Sequence, residues 1–207
     1  MNEADKIIEL AHWLFFQYGM RSVTMDQIAR ELGISKKTLY QHFNSKADLV
    51  HKTVERFIEE EECMCEQIMG TDKNAIEQLI EIGKMVSNKL KTINPTSALD
   101  LKRYYKKSWQ LIQGEHRQFI YKVVRQNMEK GMTEGWYRDD LNVEVICRIY
   151  LASMDLLIDP EVFPPNQFQI SDTYTEFLKH HIYGIASLKG AAYFDKYLHQ
   201  PTKIKAA

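Results

Sequence analysis

Apolar residues recur at three- and four-residue spacing almost throughout the chain, and long alternating runs of β-branched residues are absent, so the pattern predicts an all-α protein. The first helix is expected over 3–18, with Ile7, Leu10, Ala11, Leu14, Phe15 and Tyr18 on one face and Gly19 as its stop. Thr24 opens the second. Gln27, three residues on, fits a capping box. Ile28, Ala29 and Leu32 face inward, and Gly33 ends the helix. After Ile34, Ser35 is a fresh N-cap, so two helices meet at a tight glycine-containing turn, the helix-turn-helix signature.

The short helix after Ser35 divides cleanly. At about 100° per residue, Leu39 and Phe43 share one face, Lys37 and Gln41 point the opposite way, and Thr38 and Tyr40 flank them. Residues 33–46, GISKKTLYQHFNSK, hold three lysines and no acid. The major groove of DNA admits one α-helix, and long polar side chains such as Lys and Gln read its base edges. Lys, Tyr and Thr side chains and helix N-termini hold phosphate. Charge alone also fits a solvated basic face. The cap, the glycine turn, the second cap and the two-residue core face favour DNA.

Asn44-Ser45 break this helix, and the next runs without Gly or Pro from Ala47 to about Ile68, a stiff connection out of the first unit. Its acidic run Glu59 to Glu62 reads as a solvated face. Further helices are expected over 74–90, 96–111, 115–131, 143–158, 171–185 and 190–199, with a proline-rich loop DPEVFPPNQFQI before the last two.

Composition narrows the function. Charged residues make up 27% of the 207 and the net charge is −1, so any affinity for nucleic acid must come from a local patch. The first fifty residues carry six basic and six acidic residues, which concentrates positive charge in the recognition segment. The N-terminus lacks an apolar signal region, no apolar run approaches the ~18 residues of a membrane span, and the sparse cysteines Cys63, Cys65 and Cys147 suit a reducing cytosol. A cytoplasmic location without membrane association is therefore expected. Cys63 and Cys65 diverge by roughly 160° on a helix and cannot share one metal ion, and adjacent His180 and His181 also face apart. No Gly-rich phosphate loop, GxSxG or HExxH motif is present. An enzyme, a resident metal or a cofactor is not expected.

The stretch TMDQIARELGISKKTLYQHFNSKADL, residues 24–49, resembles the DNA-binding domain of the TetR family of bacterial transcriptional regulators, and the preceding helix with Ala11, Leu14, Phe15, Tyr18 and Gly19 fits as well. The resemblance covers about the first fifty residues. It implies an N-terminal three-helix helix-turn-helix domain, residues 1–48, followed by a larger helical effector-binding and dimerisation domain, residues 49–207. The third helix, about Lys36 to Phe43, would enter the major groove. Carried over by position, Thr24, Tyr40, His42 and Lys46 would bind phosphate, and Lys36, Lys37, Thr38 and Gln41 would lie nearest the bases. Two positions depart from the pattern: many relatives have Gly in place of Lys37 and Arg in place of Asp26.

The same resemblance, weaker in the body, implies a homodimer in which the last two long helices pair with their copies. Ile146, Ile149, Tyr150, Ser153 and Leu157, with Tyr174, Phe177, Leu178, His181 and Ile185, would supply the interface. Tyr104, Tyr105, Trp109, Phe119, Met128, Met132, Trp136 and Met154 fall on helices that line an effector pocket in the family, and suit an apolar or aromatic small molecule. The expected function is that of a repressor on a near-palindromic operator, released by a small effector. The alternative is a helical protein-interaction or redox-sensing regulator without an effector.

Overall fold

The computed structural model describes residues 2–199, which form helices joined by turns, with one isolated bridge between Tyr137 and Ala186. Helix α1 (Glu3–Tyr18) starts at a reciprocal capping box: the Asn2 side chain accepts from the Asp5 amide at 2.9 Å, and the Asn2 amide donates to Asp5 Oδ2 at 3.1 Å. Ile7, Ala11, Leu14 and Phe15 are buried as the periodicity predicts. Leu10 is only half-buried and Tyr18 is 50% exposed, with Phe16 buried in its stead. Phe16 turns toward the fourth helix, where its ring stacks on Phe57 at 5.1 Å.

Helix α2 (Met25–Leu32) is capped by the Thr24 hydroxyl, which accepts from the Gln27 amide at 3.1 Å; this is only half of the expected capping box. Gly33 closes α2 at φ +68°, a left-handed conformation that a side chain would strain. Ser35 then caps α3 (Lys36–His42), accepting from the Thr38 amide at 3.0 Å. Leu39, fully buried, and Phe43 anchor α3 to α1 and α2. Ser45 caps α4 (Lys46–Met69), whose 24 residues make a rod of roughly 36 Å.

The body comprises α5 (Ala75–Leu90), α6 (Ser97–Tyr104), α7 (Lys106–Leu111), α8 (Arg117–Thr133), α9 (Val143–Leu157), α10 (Ile170–Ile185) and α11 (Leu188–Leu198). The helix expected over 96–111 breaks at Tyr105 (φ −125°, ψ 59°), whose hydroxyl reaches back to donate to the Met20 carbonyl. The gap expected near 112–114 does not exist. A π turn, Ile112–His116, carries α7 directly into α8, and its wider winding turns His116 inward.

There His116 meets Glu61 and Glu62, at 3.6 and 3.1 Å. The acidic run on α4 is thus a solvated face only at Glu59 and Glu60. Burial opposes charge on His116, but the hydrogen bonds and negative charge of Glu61 and Glu62 outweigh it and raise the imidazole above its ordinary value.

Two apolar clusters fill the interior. The first joins α1–α3 and the N-terminal half of α4 to Leu101, with Ile93, Trp109 and Ile112 at its edge. The second gathers Ile76, Met128, Tyr150, Ile182 and their neighbours. The sequence boundary at 48/49 therefore falls inside α4, and packing crosses it. In the second cluster the Tyr137 ring lies where a side chain on Gly131 would stand, and its hydroxyl donates to Asn127 Oδ1 at 2.8 Å. This locks the turn after α8 onto α10, where Arg138 N donates to the Ile185 carbonyl.

Candidate nucleic-acid interface

The eight residues expected to meet DNA lie on or beside α3, but they are not equally free. Lys37, Tyr40 and Gln41 are exposed, and among the described residues none of their side-chain polar atoms has a hydrogen-bond or ion-pair partner. Leu39 and Phe43 pin the opposite face, so this row projects from a helix that cannot rotate without opening the core. Lys36 is different. Its Nζ lies 2.8 Å from Asp26 Oδ1 on α2, and this hydrogen bond and charge raise its pKa. Thr38 shares a 2.8 Å hydroxyl–hydroxyl hydrogen bond with Ser35, and the Thr24 hydroxyl accepts from Gln27.

His42 and Lys46 are engaged within the head. His42 Nε2 sits 2.9 Å from Glu3 Oε2. Lys46 donates to the Arg21 carbonyl at 3.1 Å. Its pKa is lowered, chiefly by burial, with Arg21 adding to the effect and Asp100 opposing it. Lys46 therefore braces the turn between α1 and α2, with its remaining donors left for an outside partner.

That turn is also bolted to the body, by contacts that the sequence pattern did not signal. Arg21 N donates to Asp100 Oδ2 at 3.2 Å, its guanidinium lies 4.5 Å from the Tyr104 ring centre, and Asn94 N donates to the Phe16 carbonyl. Asn94-Pro95 reads only as a break between helices in sequence.

The eight residues expected to line an effector pocket are not brought together. Tyr104 and Tyr105 hold the head. Met128, Met132, Trp136 and Met154 pack in or against the second cluster, and Phe119 stacks on His116. Of the eight, which rest on the resemblance in the body, only Trp109 lines this apolar chamber. The chamber, about 190 Å³, lies where head meets body. Phe16 of α1 and Phe57 of α4 form one side, Ser97, Ala98 and Leu101 of α6 another, and Leu157, Phe163 and Phe168 a third. Ala98, Trp109, Ile158 and Pro160 also border a more open polar cleft of about 800 Å³, which gives the chamber a mouth.

The expected dimer face is likewise redistributed. Tyr150, Leu157, Tyr174, Leu178, His181 and Ile185 are buried within the single chain. Ile146, Ser153 and Phe177 are half-buried, and Ile149 is 55% exposed. The outward stripe of α9 is instead Val145, Ile149, Ala152 and Leu156. The face of α9 and α10 taken from the resemblance is largely the one that packs against its own chain.

Residues 7–53 match the family model of bacterial regulatory proteins of the tetR family. An HTH-type transcriptional regulator of Staphylococcus aureus (strain USA300) is 44% identical over 52 residues, which are 25% of this chain and 28% of that relative. The chain thus spans 28% of the length of the curated relatives it matches. Whole-chain likeness is structural. A TetR-family regulator from Agrobacterium tumefaciens superposes with a TM-score of 0.70 at 17% identity, over 89% of this chain and 97% of that one. A transcriptional regulator from Saccharomonospora viridis, solved with choline, gives 0.72 at 19%, again over 89% and 97%. Residues 7–53 are thus similar in sequence to the helix-turn-helix head of the tetR family of bacterial regulatory proteins, and the whole chain shares its fold with these solved regulators.

Proposed function

We propose that the chain is a sequence-specific DNA-binding transcriptional regulator, a cytoplasmic repressor that binds a near-palindromic operator as a homodimer and leaves it when a small molecule occupies the body. The observation that carries this reading is the unpartnered row Lys37, Tyr40 and Gln41 on a helix fixed by Leu39 and Phe43. Lys37 and Gln41 are suited to base edges and Tyr40 to phosphate. Lys36 and His42 would exchange Asp26 and Glu3 for DNA at some cost. Residues 1–48 would serve as the reading unit and 49–207 as the effector and dimer unit, of which 200–207 lie outside the described residues.

Dimerisation would use the exposed stripe of α9, with Val145, Ile149 and Leu156 each about half exposed. Two heads would then meet half-sites one helical turn apart, about 34 Å, or somewhat more. Occupation of the chamber would act through α6, which walls it and also holds Arg21 through Asp100 and Tyr104. A ligand preferring a body with displaced α6 would shift the population away from the DNA-binding spacing. The choline bound to the Saccharomonospora neighbour supports a small-molecule role for a body of this fold.

Of the two cysteines a redox alternative would use, Cys147 is buried and burial raises its thiol, so it is not poised as a thiolate, whereas Cys63 is exposed. The test is a mobility shift with DNA upstream of the chain's own gene against unrelated DNA. Specific retention, lost in a Lys37→Ala, Gln41→Ala double variant, is expected. Equal retention of both DNAs would refute the reading.

A further inference from the structure

The body carries a basic segment of its own. Residues 101–114, LKRYYKKSWQLIQG, hold four cations and no acid, in a chain whose net charge is −1. Lys102, Arg103, Lys106 and Lys107 are all exposed, and among the described residues none has a hydrogen-bond or ion-pair partner. A solvated helix face usually interleaves charges of both signs. The exposed faces of α4 and α8 do so: Lys52 meets Glu55, Arg56 meets Glu60 and Arg125 meets Glu129, each within 2.8 Å. The start of α7 has no such compensation. Lys102 and Arg103 share the open cleft with Asp155, Asp159 and Glu161, whereas Lys106 and Lys107 do not line it.

Lys106 and Lys107 are held between two anchors. On one side the Tyr105 hydroxyl donates to the Met20 carbonyl at 3.3 Å, and on the other Ser108 Oγ lies 3.4 Å from His51 Nδ1. Met20 precedes Arg21 in the turn that leads to Thr24, and His51 follows Lys46 by five residues, about 7.5 Å along α4. Lys46 donates to the Arg21 carbonyl, and the exposed Arg21 guanidinium rests on the Tyr104 ring. The lysine pair therefore adjoins the edge of the head where Thr24 and Lys46 are expected to meet phosphate. Burial lowers the His51 imidazole, Glu55 opposes this, and Lys107 with Lys52 adds to it, so the Lys107 charge reaches α4. The acids nearby are engaged. Asp100 is buried and accepts from Arg21 N, Asp48 accepts from Asn44 N at 3.0 Å, and Glu55 holds Lys52.

We propose that Lys106 and Lys107 extend the DNA-binding surface from the head onto the body, holding backbone phosphates beside those met by Thr24 and Lys46 and reading no bases. Duplex DNA carries one charge per ~1.7 Å of its axis, so a cation next to one phosphate contact finds further phosphates close by. The inference rests on the DNA-binding function proposed above.

The test measures affinity of the full chain against salt concentration, for DNA upstream of its own gene and for unrelated DNA. Lys106→Ala, Lys107→Ala is expected to reduce the salt slope by about two per bound subunit and to weaken both DNAs by the same factor, leaving the preference between them intact. Lys106→Arg, Lys107→Arg should restore the slope. Lys84→Ala, Lys196→Ala removes two exposed lysines from helices packed on the second cluster, and should leave the slope unchanged. The thermal midpoint of each variant is read alongside, and the arginine pair decides if the alanine pair fails to fold: it should then keep the parent slope. An unchanged slope in the alanine pair, an equal loss from the Lys84 and Lys196 pair, or a slope lost in the arginine pair would each overturn the proposal. A parent chain that prefers neither DNA would overturn the regulatory function, and the slope on unrelated DNA would still decide the role of Lys106 and Lys107.

Discussion

Head and body are built from the same kind of helix but treat polar groups oppositely. Among the described residues, ten polar or charged residues are buried, and all ten lie at or after His51. Before that point the interior is apolar, and polar groups work at helix caps and on the surface. The body buries Gln78, His116, Asn127 and His181, and holds the Lys89 ammonium without a hydrogen-bond partner, 4.5 Å from the Phe57 ring centre. An apolar core with local caps specifies one rigid shape, which suits a surface that must present a fixed row to DNA. Buried polar groups are costly unless matched, and the balance among them shifts with protons and ligands. That suits the part that must change.

The sharpest way to break this contrast is to open the head. Leu39→Ala removes a fully buried side chain from a small apolar core and is expected to cost about 2–5 kcal/mol. Denaturant unfolding measures it, and DNA binding should go with it. Tyr137→Phe probes the body. It leaves Asn127 Oδ1 without its donor, an expected cost of about 1–3 kcal/mol in the same measurement. DNA affinity of the remaining folded protein should be unchanged.

Titration should then probe the buried histidines of the body. His116 has a raised pKa, so its contribution is complete below 6.5 and is lost as pH climbs through the raised value. Burial, aided by His180, lowers His181 to about 4, so its contribution is present above 6.5 and fades as pH falls from there toward 4. Native stability should therefore crest near 6.5, measured as thermal midpoint against pH. His116→Gln should flatten the alkaline limb, and His181→Gln should make the acid limb shallower. The smallest effect belongs to Lys36. Its partner Asp26 is exposed and already shares its charge, so Lys36→Ala should change operator affinity and its salt slope less than Lys37→Ala, which should reduce that slope by about one.

The head could be read from sequence because its signals are local. Ser35 caps a residue three away, Gly33 takes a backbone that suits glycine, and Leu39 and Phe43 are one turn apart. Periodicity also placed the long helices of the body, yet it says which face is apolar and not which neighbour covers it. Tyr150, Leu178 and Ile185 therefore looked like an interface and proved to be core. The inward turn of Glu61 and Glu62 depends on His116, more than fifty residues away, and on a π turn with no distinct sequence mark. The chamber joins Phe16 to Phe168, a pairing that no local pattern encodes.

In the proposed function, α3 would read base sequence through Lys37 and Gln41. Selection of bound duplexes from a random pool by the full chain tests it most directly. Enrichment of a near-palindromic site is expected, and its preferred bases should blur, with roughly 1–3 kcal/mol of discrimination lost at each affected position, in the Lys37→Ala, Gln41→Ala variant. A pool without enrichment, or one in which the double variant selects the same site as strongly, would contradict it.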